Sequence, residues 1–272
     1  MYGPVCCAHE KKSLEIESMP STKIVATLGP ATDSPEMIRQ LLEAGVDVFR
    51  LNASHGQQEE HVRRIHLVRE MSREMGIYAG LLLDLQGPKI RLGEFEGGKA
   101  ELKPGEIFTI TTEQVMGNEK LASTTYAEFA RDVKPGNAVL IADGAVKLRV
   151  VSTDGIAARC EVVVAGMVGN RKGINLPGVA VSTPSLTRKD KADLQFGLSE
   201  GVDFVALSFV RQPNDVLRLK LFLEERESKA MVISKIEKPE AVENLNAILA
   251  ESDGVMVARG DLGVEMAIEK VP

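Results

Sequence analysis

Six short apolar runs, set at a regular rhythm that breaks once, constrain the fold of this chain more than any other feature. They are Lys23–Leu28, Asp47–Asn52, Gly80–Leu85, Asp203–Ser208, Met231–Ile236 and Gly254–Ala258. A continuous apolar run, unlike an alternating one, suits a strand buried on both faces, as in a parallel sheet. Helical patterns lie between most of them. Ser34–Ala44 opens Ser-Pro-Glu, which suits Pro35 to a first helical turn, and Gly45 stops it. Glu59–Met75 is charged with apolar spacing and ends at Gly76, while Pro213–Ser228 and Pro239–Glu251 each carry Pro near the start. The order is βαβα, hence a parallel sheet with helices outside.

The break comes after Leu85. Most intervals are roughly 25–35 residues, as a βα unit requires, but the third exceeds about 100, far beyond any loop. It holds "ELKPGEIFTITT", "NAVLIADGAVKLRVV" and "ARCEVVVAGMVG", short strands separated by Pro-Gly, Asp-Gly and Thr-Asp-Gly turns. This reads as a small antiparallel β-domain, about Lys89 to Ser185, inserted between a strand and its helix. The helix resumes in "TPSLTRKDKADLQFGLSEG".

Composition narrows the function classes. Of 272 residues 44% are apolar, ample for a core, and the length suits one large domain or two ordinary ones. A net charge of −6 argues against a general nucleic-acid binder, though not against a local basic pocket for an anionic metabolite. No apolar run approaches the ~18 residues of a transmembrane helix. The opening "MYGPVCCAHEKKSLEIESMP" lacks the apolar core of a secretion signal and reads as a loose tail with a short helical turn. Cys6, Cys7 and Cys160 form neither a zinc spacing nor a disulfide framework, which fits a reducing, cytosolic setting. His9, His55, His61 and His66 also lack metal-ligand spacing, and no Walker loop or GxGxxG occurs.

Residues able to do chemistry gather where the apolar runs end. The second run ends Arg50-Leu51-Asn52-Ala53-Ser54, the third Asp84-Leu85-Gln86 and the fifth Lys235-Ile236-Glu237, while the sixth passes into Arg259-Gly260-Asp261. Residues i and i+2 of a strand share a face, so Arg50 with Asn52, Asp84 with Gln86, and Lys235 with Glu237 point the same way. The carboxyl ends of parallel strands are where α/β barrels and open sheets build their sites. Each piece alone has a plainer reading: Asp261 as N-cap of a helix from Leu262, Lys235 and Glu237 as a structural ion pair, Arg50 as a loop anchor, Asp84 as a turn former. Their joint occurrence tells against those readings, because buried charges are costly unless paired or used. Glu237 and Asp261, from adjacent strands, suit Mg2+, which takes one or two carboxylates plus ligand oxygens. Arg50 and Lys235 beside them suit a phosphate. The set points to phosphoryl transfer or enolate chemistry.

The segments "TKIVATLGPA", "DVFRLNASHG", "LLLDLQGPKIRLG", "RKGINLPG", "DFVALSFVR", "ISKIEKPEAVENL" and "DGVMVARGDLGVE", in this order and spacing, closely resemble pyruvate kinase, from Pro20 to Pro272. The resemblance implies a TIM-type (β/α)8 barrel with a β-rich lid inserted after its third strand. It divides the chain into a tail at 1–22, barrel at 23–88, lid at 89–186 and barrel again at 187–272. Only six of the eight strands of a closed barrel are counted, so the expectation is an N-terminal portion, truncated within the barrel and without the family's C-terminal regulatory domain. The implied reaction transfers the phosphoryl group of phosphoenolpyruvate to ADP, giving pyruvate and ATP, in glycolysis and in the cytoplasm. Mg2+ is the implied cofactor, with Mn2+ as its substitute. Neither nucleic acid nor membrane is an implied partner, and full-length members are typically homotetramers.

Carried over position by position, Glu237 and Asp261 would hold Mg2+, Lys235 would stabilise the phosphoryl group in flight, and Arg50 would grip the substrate phosphate. The Gly260 backbone would meet the substrate carboxylate, at a closeness open only to glycine. Thr27, Pro30, Asn52, His55, Arg91 and, from the lid, Lys172 resemble nucleotide-binding positions. Asn52, Ser54, Asp84 and the Leu85 carbonyl match a monovalent-cation site. K+-dependent members, however, carry Glu where this chain has Lys89, and "LDLQGPKIRLG", with Leu85, Gln86, Lys89 and Leu92, resembles the K+-independent branch. The Lys89 ammonium would supply the charge that K+ brings, so K+ is not expected to be required; the plainer reading is a surface lysine at the lid hinge. Two other readings stand beside the main one. Barrel lyases of small-acid thioesters share Mg2+ and an "IEKPEAV"-like stretch, but lack the insert and the SHG and QGPKI motifs. An inactive fragment of the kinase is the other.

Overall fold

The computed structural model describes residues 22–271. The expected tail, with Cys6, Cys7 and His9, lies outside them apart from residue 22. β1 (Ile24–Thr27), α1 (Pro35–Glu43), β2 (Val46–Asn52), α2 (Gln58–Met75) and β3 (Gly80–Asp84) alternate as expected. The Ser34 hydroxyl accepts the Met37 N–H at 3.2 Å and Pro35 is the next residue, so α1 starts on a side-chain cap. Gly76 stops α2 in the left-handed region at φ 65°, which glycine enters without strain.

The long interval holds β4 (Lys99–Leu102), β5 (Ile107–Thr111), β6 (Leu121–Ser123), α3 (Phe129–Asp132), β7 (Ala138–Ile141), β8 (Val146–Thr153), β9 (Ala157–Val164), β10 (Gly166–Gly169) and β11 (Ile174–Asn175). They form a six-stranded sheet in the order β11-β7-β8-β9-β5-β6 and a two-stranded one, β10-β4. The insert is not wholly antiparallel, as the turn signals suggested. β5 and β6 pair in parallel, with Thr109 opposite Leu121. Parallel neighbours need a crossover instead of a hairpin, and the loop between them supplies it, pinned where Gly117 lies under the Phe95 ring. A Cβ at that glycine would come within 2.9 Å of the ring.

After the insert come α4 (Arg188–Ser199), β12 (Phe204–Leu207), α5 (Pro213–Glu224), β13 (Met231–Ile236), α6 (Pro239–Glu243), α7 (Leu245–Glu251), β14 (Gly254–Val257) and α8 (Arg259–Glu265). Two expectations change here. The single helix over Pro239–Glu251 breaks at Asn244, whose side-chain N–H donates to the Arg211 carbonyl at 2.9 Å. Such side-chain bonds are how Asn competes with helical backbone. The helix after β14 starts at Arg259, with Ala258 at its N-cap, so Asp261 does not cap it.

β1-β2-β3-β12-β13-β14 make one parallel sheet in sequence order, the arrangement successive right-handed βα units produce around a barrel. β3, at its centre, is buried along its whole length, but the edge strands β1 and β14 are not. A strand with one neighbour is covered on one side only, so burial on both faces holds at the centre and fails at the edges. Buried side chains gather in two clusters. Phe49, Leu81, Leu83 and Val205 belong to the parallel sheet's cluster, and Phe108, Ile110, Val139 and Leu148 to the insert's. The two units meet beside the carboxyl ends of the parallel strands, where Asn175 of β11 reaches Glu265 of α8 at 2.9 Å.

Candidate active site

Asp84, the last residue of β3 and 1% exposed, is the hub of a charged network at those strand ends. Strand pairing sets Asn52 opposite Asp84 and Arg50 opposite Leu82. Arg50 donates through Nε and Nη2 to Asp84 Oδ2, at 2.7 and 2.5 Å, and through Nη1 to Thr27 Oγ1 at 2.9 Å. From the other side, Lys235 Nζ lies 3.2 Å from Asp84 Oδ1 and 2.7 Å from Glu237 Oε1. It also donates to Ser208 Oγ at 2.8 Å, and that hydroxyl donates to the Leu85 carbonyl at 2.7 Å. Thr27, Arg50, Asp84, Lys235 and Glu237 therefore form one continuous chain across the sheet.

Burial drags the Lys235 pKa down, but the Glu237 and Asp84 carboxylates outweigh it, so the pKa is raised and Lys235 stays a cation. Glu237, 2% exposed, has its pKa pushed up, first by burial and further by the charge of Asp261, with Lys235 opposing. Its Oε2 accepts the Phe209 N–H at 3.0 Å. Phe209 holds φ 56°, a left-handed value rare for a bulky residue, and strain of this kind clusters at functional sites.

Asp261 is exposed in the first turn of α8 and near enough to Glu237 for their charges to interact. No group of three or more His, Cys, Asp or Glu side chains gathers as a metal cluster among the described residues. Mg2+ does not need one, because it keeps waters and ligand oxygens beside one or two carboxylates. A buried Glu237 pushed upward beside a second acid is a site that a divalent cation would relieve. The donor set fits Mg2+.

The other expected residues divide into two groups. Asn52 Oδ1 accepts the Ser54 N–H at 3.0 Å and Asn52 Nδ2 lies 3.4 Å from His55 Nδ1, so these three sit together at the end of β2. Pro30 opens the short 3-10 turn Pro30–Thr32 just after β1. Arg91 and Lys172 belong to the insert: Arg91 bridges to Gly173 and donates to the Arg171 carbonyl at 3.0 Å, and Lys172 is exposed. Among the described residues, no hydrogen bond or ion pair joins either to the Asp84 network. Lys89 is half-buried, its stem 3.6 Å from the position of a Cβ on Gly173, and it makes no ion pair among the described residues. Gly260 is the second residue of α8, and a Cβ there would meet no atom within 4 Å. Packing does not demand glycine at this position; a ligand would have to.

Ser208 escaped the sequence reading, although it ends the fourth apolar run and the strand-end rule applied to "DFVALSFVR" would have found it. So did the buried Lys238–Glu265 pair, at 2.6 Å. These residues lie 27 apart on different elements, and no local signal links them.

The family description "Pyruvate kinase, barrel domain" matches residues 19–272. This chain belongs to the pyruvate kinase family. Pyruvate kinase of Corynebacterium glutamicum is 49% identical over 251 residues, covering 92% of this chain and 53% of that protein. Pyruvate kinase 2 of a Synechocystis species is 47% identical over 255 residues, covering 92% of this chain and 43% of its own. A crystal structure of a pyruvate kinase from Cryptosporidium parvum superposes with a TM-score of 0.88 at 39% identity, covering 92% of this chain and 53% of that one. The chain thus spans about half the length of the pyruvate kinases it matches. Membership in the pyruvate kinase family sets aside the thioester-lyase reading of "IEKPEAV".

Proposed function

We propose that the protein carrying this chain moves the phosphoryl group of phosphoenolpyruvate to ADP, giving pyruvate and ATP in cytoplasmic glycolysis. The bond from phosphorus to the enol oxygen breaks, a bond from an ADP β-phosphate oxygen to phosphorus forms, and the enolate takes a proton at carbon. Lys235, held between Asp84 and Glu237 at 3.2 and 2.7 Å beside Arg50, is the observation that carries this reading. Phosphoryl transfer is governed by positioning and by charge stabilisation on the oxygens in flight. Asp84 orients both cations before a substrate arrives. Arg50 offers a fork suited to the substrate phosphate, and Lys235 is a point charge for the moving group. Mg2+, held by Glu237, Asp261 and substrate oxygens, would neutralise charge on the phosphoryl oxygens.

Thr27, Pro30, Asn52 and His55, with Arg91 and Lys172 from the insert acting as a lid over 89–186, are read as the nucleotide side. Gly260 faces the substrate carboxylate, and Lys89 takes the place of K+ beside Asn52, Ser54, Asp84 and Leu85. Among the described residues no helix is long and apolar enough to cross a membrane. A homotetramer is the expected assembly. The test is pyruvate formation by the intact protein from phosphoenolpyruvate, ADP and Mg2+, followed in a coupled assay; no pyruvate above the enzyme-free rate sinks the reading. A second reading, that residues 1–272 alone are inactive, is favoured by the edge strands, which leave Val25 50% and Val257 54% exposed.

A further inference from the structure

Glu265, the last residue of α8, is 6% exposed and takes no part in the network around Asp84. Its Oε1 accepts two donors, Lys238 Nζ at 2.6 Å and Asn175 Nδ2 at 2.9 Å. Its Oε2 is buried with no hydrogen-bond partner among the described residues. The carboxyl group borders a cavity of about 30 Å³ between the insert and the parallel sheet, lined also by Ile90, Ile174, Leu176 and Phe209. A carboxylate here is costly on three counts. It is a buried charge, it stands at the helix end where the dipole disfavours an anion, and one oxygen is unpaired.

The neighbours of Glu265 give the cost a use. Asn175 belongs to β11 of the insert, Lys238 directly follows Glu237, and Glu265 comes one helical turn after Asp261. Asn175 to Glu265 is, among the described residues, the one side-chain to side-chain hydrogen bond between the insert's strands and the rest of the chain. Arg211 makes a different attachment across the same cavity, donating to the Val181 and Thr183 carbonyls where the chain leaves the insert. Those two bonds hold main chain at the exit from the insert, whereas the Asn175 bond holds one of its strands.

We propose that Asn175, Glu265 and Lys238 are positioning residues that register the insert against both proposed Mg2+ carboxylates. Glu265 sets the pitch of α8 and so the place of Asp261. Lys238 sets the chain beside Glu237, and Asn175 makes the insert's closure depend on both. This rests on reading Glu237 and Asp261 as the metal pair.

The test compares the intact wild-type protein with Asn175→Asp, which sets a second carboxylate against Glu265, and Asn175→Ala, which removes the bond without adding charge. Hydrogen exchange by mass spectrometry and Mn2+ binding by electron paramagnetic resonance are the readouts. Exchange over residues 174–181 should rise about tenfold, as expected for local opening when a bond to a charged group is lost. Peptides from β8 and β9 should keep wild-type exchange. The Mn2+ dissociation constant should weaken by about tenfold, the lower end for loss of an outer-shell contact. If Asn175→Asp does not fold, Asn175→Ala decides. A folded variant with wild-type Mn2+ affinity, even with a lowered unfolding midpoint, shows a merely structural contact and overturns the proposal. Failure of the wild type to bind Mn2+ sinks the metal reading instead, and the exchange comparison then decides the role of the Asn175 bond by itself.

Discussion

Arg50 and Asp84 meet side on, with Nε and Nη2 of the guanidinium both on Oδ2, at 2.7 and 2.5 Å, and with the carboxylate 1% exposed against 24% for the arginine. The buried partner thus serves the more exposed one. Asp84→Asn keeps the shape but leaves Arg50 and Lys235 without their shared counter-charge. Removing one partner of a buried pair costs about 3 kcal/mol, and a misplaced phosphate clamp costs on the order of 10² in turnover. Urea unfolding and the coupled pyruvate assay should show both losses; a variant with wild-type stability and rate would remove Asp84 from the site.

On the proposed reading, Lys235→Met deletes a cation that counts mostly while the phosphoryl group is in flight. Turnover of the intact protein should fall by ~10²–10³, while the proposed metal carboxylates Glu237 and Asp261 are left in place. A variant that kept most of its turnover would show the Lys235 assignment to be wrong.

The parts of this site that could be read in the sequence are those whose signal is local. Lys235 and Glu237 are two apart at the end of one apolar run, so the period of a strand places them together. Arg50 and Asp84 lie 34 residues apart, yet each ends its own run, and parallel pairing brings such ends side by side. Glu265 and Asn175 are 90 residues apart and on different units, and nothing in either neighbourhood announces the other. The parallel pairing of β5 and β6 was hidden for a similar reason. Turn residues mark where a chain bends, but not which neighbour it meets afterwards. Asn244 is a local signal, masked by the convincing helical period on either side of it.

Asp33 follows the turn that carries Pro30 and is clamped by Arg64 Nε and Nη2 at 2.6 and 3.0 Å. The hydrogen bond from Arg64 lowers the Asp33 pKa below 3.8 against the pull of burial, with the charges of Arg64 and Arg63 adding. A depressed folded pKa gives stability that is present above the unfolded value and is lost as pH falls through the folded one. Asp33→Asn should therefore be less stable than wild type at pH 6. The gap should close as the pH drops below about 4 and the wild-type carboxyl protonates. Denaturant midpoints at both pH values check this, and a gap that widens in acid would contradict it.

Lys89 makes no ion pair among the described residues, and on the proposed reading its ammonium takes the place of a bound K+. Turnover of the intact protein should be nearly equal in Na+ and K+ buffers, and Lys89→Glu should create dependence on K+. A wild-type rate that collapses without K+ rules this out.

β1 and β14 each pair with a single neighbour among the described residues. They expose apolar side chains, with Ile24 at 48%, Val25 at 50%, Val255 at 38% and Val257 at 54%. An unpaired edge offers a row of free N–H and C=O groups to any other strand, and apolar side chains beside it reward the contact. Residues 1–272 produced alone should therefore self-associate as concentration rises and show no turnover with phosphoenolpyruvate, ADP and Mg2+. The insert has its own buried cluster around Phe108, Ile110 and Leu148 and should stay folded within such assemblies, with slow exchange in β8 and β9. Val25→Lys with Val257→Lys, placing charge on both edges as natural sheets do, should reduce association without restoring turnover. Light scattering across a concentration series and the coupled assay measure the two effects separately. A monodisperse monomer with ordinary turnover would show that the six-stranded sheet suffices for catalysis and that its edges are harmless.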